Sequence, residues 1–242
     1  VVNLQCRSTV YRNVTINLLT NGAVCGNILW RFRYANTTIE ISGGTIEACR
    51  PINYPSTDHK TNKLTITGGT LTCNDPDDTT NNSYCITWSS DTANATVNIT
   101  GGTFNGKGTF LSAGGKNNTL NFGGNAVINT ARDSRGFIQD GSSTNNTYNI
   151  TGGTITSAGY GFVNLGTNAK VNITGGTVKA LTNSFFHLQA NKGQTIKISG
   201  NAKIICGESE TVHERNFINP TIADCGVKFT IEGGTIYCGD VL

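Results

Sequence analysis

The chain has 242 residues, 36% of them apolar and 14% charged, with a formal net charge of +3. That length supports one sizeable core, and the near-neutral balance speaks against a nucleic-acid partner. No apolar run approaches the roughly 18 residues of a membrane-spanning helix, so membrane insertion is not expected. Eight Cys include no Cys-x-x-Cys pair and none spaced with His as zinc ligands are, which favours disulfides over a metal.

Residues 1–12 read as a strand-like end segment with no amphipathic helix, and the repeating part is expected over 13–242. A first turn is read from Val14-Thr15-Ile16-Asn17-Leu18, with Asn21-Gly22-Ala23-Val24 as a degenerate bend. The first clear copy of a repeat is Ile39-Glu40-Ile41-Ser42-Gly43-Gly44-Thr45-Ile46. It returns at 64–71, 97–104, 148–155, 171–178 and 229–236, with variants at 120–128 and 196–204. In Val97-Asn98-Ile99-Thr100, apolar and polar residues alternate, the period of a half-buried strand. Gly-Gly then turns the chain, because glycine accepts positive φ without penalty. The anchoring glycines are 22 to 33 residues apart, so one copy is one coil of a three-faced solenoid. Loops inserted into that coil are expected at 50–63, 74–95, 130–146 and 205–226.

The fold expected is all-β: a single-stranded right-handed parallel β-helix of about nine turns. Its inward columns are Ile39, Leu64, Val97, Leu120, Tyr148, Val171, Ile196 and Phe229, and Ile41, Ile66, Ile99, Phe122, Ile150, Ile173, Ile198 and Ile231. Asn98, Asn121, Asn149 and Asn172 share an outward column, where stacked side chains hydrogen-bond along the rod. Thr67, Thr100, Thr151 and Thr174 form a second outward column, a possible surface for ice or glycan.

These Gly-anchored copies resemble the parallel β-helix superfamily whose namesakes are pectin and pectate lyases. They are similar, more closely, to the Gly-Gly-Thr/Ala-Ile repeat proteins of microbial surfaces, such as the polymorphic outer-membrane adhesins. The resemblance covers residues 13–242. It implies the fold, and the fold hosts lyases, hydrolases, adhesins and passive scaffolds. Lyase-like sites need an acidic cluster and a basic residue, and polygalacturonase-like sites resemble Gly-His-Gly and Arg-Ile-Lys phrases. Neither phrase occurs here. Asp77-Asp78 reads as part of a solvated loop, with a weak Ca²⁺ site as the alternative. His59, His187 and the His213-Glu214-Arg215 phrase lack a motif-placed nucleophile. No catalytic residue, cofactor or metal is therefore assigned, and the chain is not expected to be an enzyme.

Nine Asn-x-Ser/Thr sequons begin at Asn13, Asn36, Asn81, Asn94, Asn98, Asn117, Asn145, Asn149 and Asn172. With even Cys and low charge they point to an extracellular or cell-surface location. The chain starts at Val1 and holds no Met, as expected of a processed or trimmed chain. Cysteine pairs expected from loop closure are Cys25–Cys49, Cys73–Cys85 and Cys206–Cys225, which leaves Cys6 to bond Cys238 of the next subunit. The alternative keeps Cys6–Cys25, Cys49–Cys73 and Cys206–Cys238 within one chain. Residues 1–50 carry five arginines against two glutamates, a net +3, whereas 205–242 carry six acids against two bases, a net −4. Opposite charge at two sheet-edge ends implies head-to-tail self-association into a filament. A glycan-binding surface adhesin and a polysaccharide lyase or hydrolase are the rival readings.

Overall fold

The computed structural model describes residues 8–11, 14–17, 38–48, 51–54, 62–73, 84–131, 136–140, 142–188, 193–220 and 226–241. Every regular element among them is a strand, and every strand pairing is parallel. The strands stack into three faces, and the chain visits the faces in order.

The first face holds Ser8–Tyr11, Thr38–Ile41, Lys63–Ile66, Thr96–Ile99, Thr119–Phe122, Thr195–Ile198 and Lys228–Ile231. The second holds Val14–Asn17, Gly44–Ala48, Thr70–Cys73, Thr103–Gly106, Val127–Thr130, Lys203–Cys206 and Thr235–Tyr237. Two long strands, Thr147–Ser157 and Lys170–Ala180, turn the corner and serve both faces. The third face is a separate seven-stranded sheet. It consists of Ile52–Tyr54, Tyr84–Trp88, Thr109–Ala113, Gly136–Asp140, Tyr160–Val163, Phe186–Leu188 and Ile218–Pro220. The chain is thus a parallel β-solenoid. Seven coils have all three strands, fewer than the nine full turns expected, and a two-stranded partial coil flanks them at either end.

The inward columns lie where the alternation puts them. Leu64, Val97, Leu120, Tyr148, Val171 and Ile196 follow one another in register, and all are buried. Each coil alone has too little apolar surface to fold; its neighbours supply the rest. Val14–Asn17 differs from the sequence reading. It pairs with Gly44–Glu47 on the second face, and Ser8–Tyr11 takes the first-face position before it.

The Gly-Gly corner uses its two glycines for different reasons. The second has positive φ, +92° at Gly69 and +92° at Gly102. The first is squeezed by the coil before it: a Cβ on Gly68 would lie 2.7 Å from the Ser42 carbonyl oxygen. Positive φ therefore explains only half of the motif.

The segments read as insertions each contain a third-face strand. Its burial runs differently, with consecutive buried residues in Phe110-Leu111, Phe137-Ile138 and Phe185-Phe186. The aromatic rings of this face fill the centre of the solenoid. Phe162 packs edge-on to Phe137 at 4.8 Å and stacks on Phe186 at 5.2 Å. Phe185 stacks on Phe217 at 5.9 Å.

Candidate functional site

The outward column of the first face is an amide ladder. Asn121 Nδ2 donates to Asn98 Oδ1, Asn149 Nδ2 to Asn121 Oδ1, and Asn172 Nδ2 to Asn149 Oδ1, each at 2.8 Å. One-coil spacing, about 4.8 Å, suits a carboxamide that donates one way and accepts the other. The sequon Asn-Ile-Thr is thereby explained structurally: outward ladder Asn, inward Ile, then the Thr before the glycines. Thr67, Thr100, Thr151 and Thr174 are exposed beside that corner. Thr151 Oγ1 turns back to donate to the Phe122 carbonyl at 3.3 Å.

A second set of asparagines builds the corner between the third and first faces. Asn94, Asn117, Asn145 and Asn168 have positive φ of 55°, 56°, 58° and 53°, a conformation Asn tolerates better than other side chains. They are exposed, and Asn168, Asn145 and Asn117 are joined in turn by 3.1 Å amide bonds. The next residue points inward. Asn118 is fully buried; its Oδ1 accepts from Ala95 N at 2.9 Å, and its Nδ2 donates to Thr92 O and Gly114 O at 3.1 and 3.2 Å. Asn146 Oδ1 accepts from Asn118 N at 2.8 Å. Backbone groups at this bend are buried and need partners, which is why carboxamides stand there. Of the nine sequons, Asn94, Asn117 and Asn145 are at this corner and Asn98, Asn149 and Asn172 on the first-face column, whereas Asn13, Asn36 and Asn81 lie outside the described residues.

One ionisable cluster is interior. Asp140 ends a third-face strand and is fully buried. Its Oδ2 accepts from Tyr148 Oη at 2.7 Å and from Ser143 Oγ, and its Oδ1 accepts from Ser143 N at 3.2 Å. Burial raises the Asp140 carboxyl above its ordinary range, against these hydrogen bonds, which act to lower it. Burial likewise pushes the Tyr148 phenol well up, with the Asp140 charge adding to the effect. Nothing in the sequence pattern joined these residues; the coil geometry does.

The histidines do not converge. His187 rests against Tyr160, with ring centroids 4.9 Å apart, and burial lowers its pKa. His213 meets Tyr237 edge-on at 5.7 Å. Glu214 and Arg215 are exposed and, with Thr182, Ser184, Asn216 and Asn219, line a polar cleft of about 200 Å³. The Ser184 hydroxyl there is buried without a partner. His59 and Asp77-Asp78 lie outside the described residues. Among the described residues no three His, Cys, Asp or Glu side chains gather as metal ligands.

Four cysteines are described, all as thiols: Cys73, Cys85 and Cys206 are buried and Cys238 is half-buried. Cys6, Cys25, Cys49 and Cys225 fall outside the described residues, so the pairs drawn through them are untouched by these coordinates.

Fold and surface together define a parallel β-solenoid whose outward polar residues largely bond along its own axis. No protein-family model matches the chain, and no curated protein or solved structure matches it either.

Proposed function

We propose that the chain is a structural subunit of an extracellular or cell-surface filament that stacks head-to-tail through its solenoid ends. The carrying observation is the open edge of the last coil. Lys228–Ile231 pairs on one side only, with Thr195–Ile198. Ile231 is 55% exposed, whereas its column mates Ile66, Ile150, Ile173 and Ile198 are at most 1% exposed. Phe229 and Ile236 are likewise only partly covered. A parallel edge with an apolar centre is a template for another coil. The occupant we assign is the first coil of a second copy. The strands nearest the two chain ends lie at opposite ends of the stack, and the sequence charges those end segments +3 and −4. Such a contact is heterologous and propagates. In this reading the chain belongs with the Gly-Gly-Thr/Ala-Ile repeat proteins of microbial surfaces that its sequence resembles, and it is not an enzyme.

Sedimentation velocity and negative-stain microscopy over a concentration series test this. The expected result is rods that lengthen with concentration and shorten in high salt, with Ile231→Lys giving monomers. A wild-type chain that stays monomeric throughout overturns it.

The cleft beside Arg215 favours a second reading, a glycan-binding adhesin. Its orphan Ser184 hydroxyl, exposed carboxamides and guanidinium are the groups that hold sugar hydroxyls and a sugar carboxylate. Binding of acidic oligosaccharides, lost on Arg215→Ala while rod formation persists, would support it.

A further inference from the structure

We propose that Cys73 and Cys85 form an intrachain disulfide linking the second and third faces of one coil. Cys73 ends the strand Thr70–Cys73, and Cys85 is the second residue of Tyr84–Trp88. Both belong to the apolar core, at 1% and 0% exposure. The Cys73 thiol hydrogen-bonds to Cys85, so the sulfurs are in contact. A second piece of geometry agrees. Gly106 is the register partner of Cys73 in the next coil, and the Cys85 sulfur lies 3.5 Å from where a Gly106 Cβ would be. The missing side chain leaves the space that the Cys85 sulfur occupies beside the Cys73 column.

The chemistry is a two-electron oxidation. Two S–H bonds break and one S–S bond forms. The two electrons and two protons pass to a small-molecule disulfide such as oxidised glutathione, which leaves as two thiols. The attacking species is the thiolate, and burial holds the Cys73 thiol well above its ordinary range. A folded, reduced chain is therefore slow to react, and the bond forms before the coil closes.

A different observation, strand register, carries a second bond, Cys206–Cys238. Ile205 pairs with Tyr237, so the next position places Cys238 over Cys206, one coil away. Equivalent Cα atoms on stacked parallel strands are about 4.8 Å apart, inside the roughly 4.4–6.8 Å that a disulfide spans. Burial and the neighbouring Cys238 push the Cys206 thiol up to about 12. This bond replaces the Cys206–Cys225 pairing and withdraws Cys238 from any link between subunits, leaving the stacking of copies non-covalent.

The test is to refold the full chain in a glutathione redox buffer, alkylate it under denaturing conditions, and digest it with a protease that cuts at Asp. Asp75, Asp77 and Asp78 lie between Cys73 and Cys85, so cleavage leaves those two peptides joined only by the disulfide. The expected result is one mass for the Cys73 and Cys85 peptides, and one for the Cys206 and Cys238 peptides, each separating on reduction. Alkylation of both members of a pair, or either member joined to any other Cys, overturns that bond. In the Cys73→Ser variant Cys85 should become alkylated, and the wild-type map stands even if that variant fails to fold. A reducible ladder of subunits linked through Cys238 overturns the second bond, whereas rods that survive reductant leave it intact.

Discussion

At the scale of single residues, the asparagines divide into load sharers and corner pieces. Asn121 has ladder bonds on both sides, at 2.8 Å each, in a half-buried setting. Asn121→Ala removes both and leaves Asn98 and Asn149 facing a gap, so a loss of about 1–3 kcal/mol is expected. Asn129→Ala removes a single exposed 3.2 Å bond to Asn105 and should cost under about 0.5 kcal/mol. Urea denaturation of the two variants checks the contrast, and equal midpoints would refute it. Asp140 supplies the pH dependence. Burial raises its folded-state pKa above the unfolded value, near 3.9. Its protonated form therefore binds more tightly to the fold. Its contribution is fully present below the unfolded pKa and is lost as pH rises through the folded pKa. Asp140→Asn should flatten that fall in stability from about pH 4 upward. A variant that keeps the wild-type slope would show that other groups set it.

At the scale of elements, the Gly-Gly corner is the least forgiving part of the repeat. Gly69 combines φ of +92° with a Cβ position 2.9 Å from the Gly44 carbonyl oxygen. Gly69→Ala meets both penalties, and a destabilisation of about 2–4 kcal/mol is expected from strain and displaced backbone. Thermal melts should place it well below a surface control such as Lys170→Ala; a shift no larger than the control's would mean that the corner relaxes freely. The same elements show what the sequence could reveal. Alternation such as Leu64-Thr65-Ile66 exposes one face to water and one to the core, so the first face and its registers were readable. The third face was not, because two successive residues, as in Phe110-Leu111, both turn inward where the strand begins. No period of two results, and no glycine pair marks the place. The Asn corner was visible only as sequons, since Asn117-Asn118-Thr119 satisfies a modification motif and a left-handed bend with the same letters. Cys73 and Cys85 were readable as neighbours from spacing, but Cys206 over Cys238 depends on register carried across a whole coil. The Asp140–Tyr148 contact likewise joins two faces at a corner that no local pattern records.

At the scale of the whole molecule, coils touch only their neighbours, so stability is a sum of coil and interface terms that varies along the axis. The middle coils are flanked on both sides and hold the fully buried Phe122, Tyr148, Phe162 and Phe186. The last coil has one neighbour, and Phe229, Ile236 and Cys238 are only partly covered. Its link to the coil before it includes the Lys197–Glu232 ion pair at 2.7 Å, whose side chains are 46% and 55% exposed; such exposed pairs add about 0.2–1 kcal/mol at most. Amide exchange should therefore be slowest over 96–180 and fastest over 228–237 in dilute solution. Protection that is uniform along the axis would contradict neighbour-only coupling. The gradient also separates a rod subunit from an isolated solenoid. When copies stack, the second copy covers the Lys228–Ile231 edge, and strand hydrogen bonds there open only when the contact breaks. Raising the protein concentration should then slow exchange over 228–237 while leaving 96–180 unchanged, and Ile231→Lys should abolish that concentration dependence. Exchange at 228–237 that ignores concentration would place the open edge outside any self-contact, whatever the middle coils do.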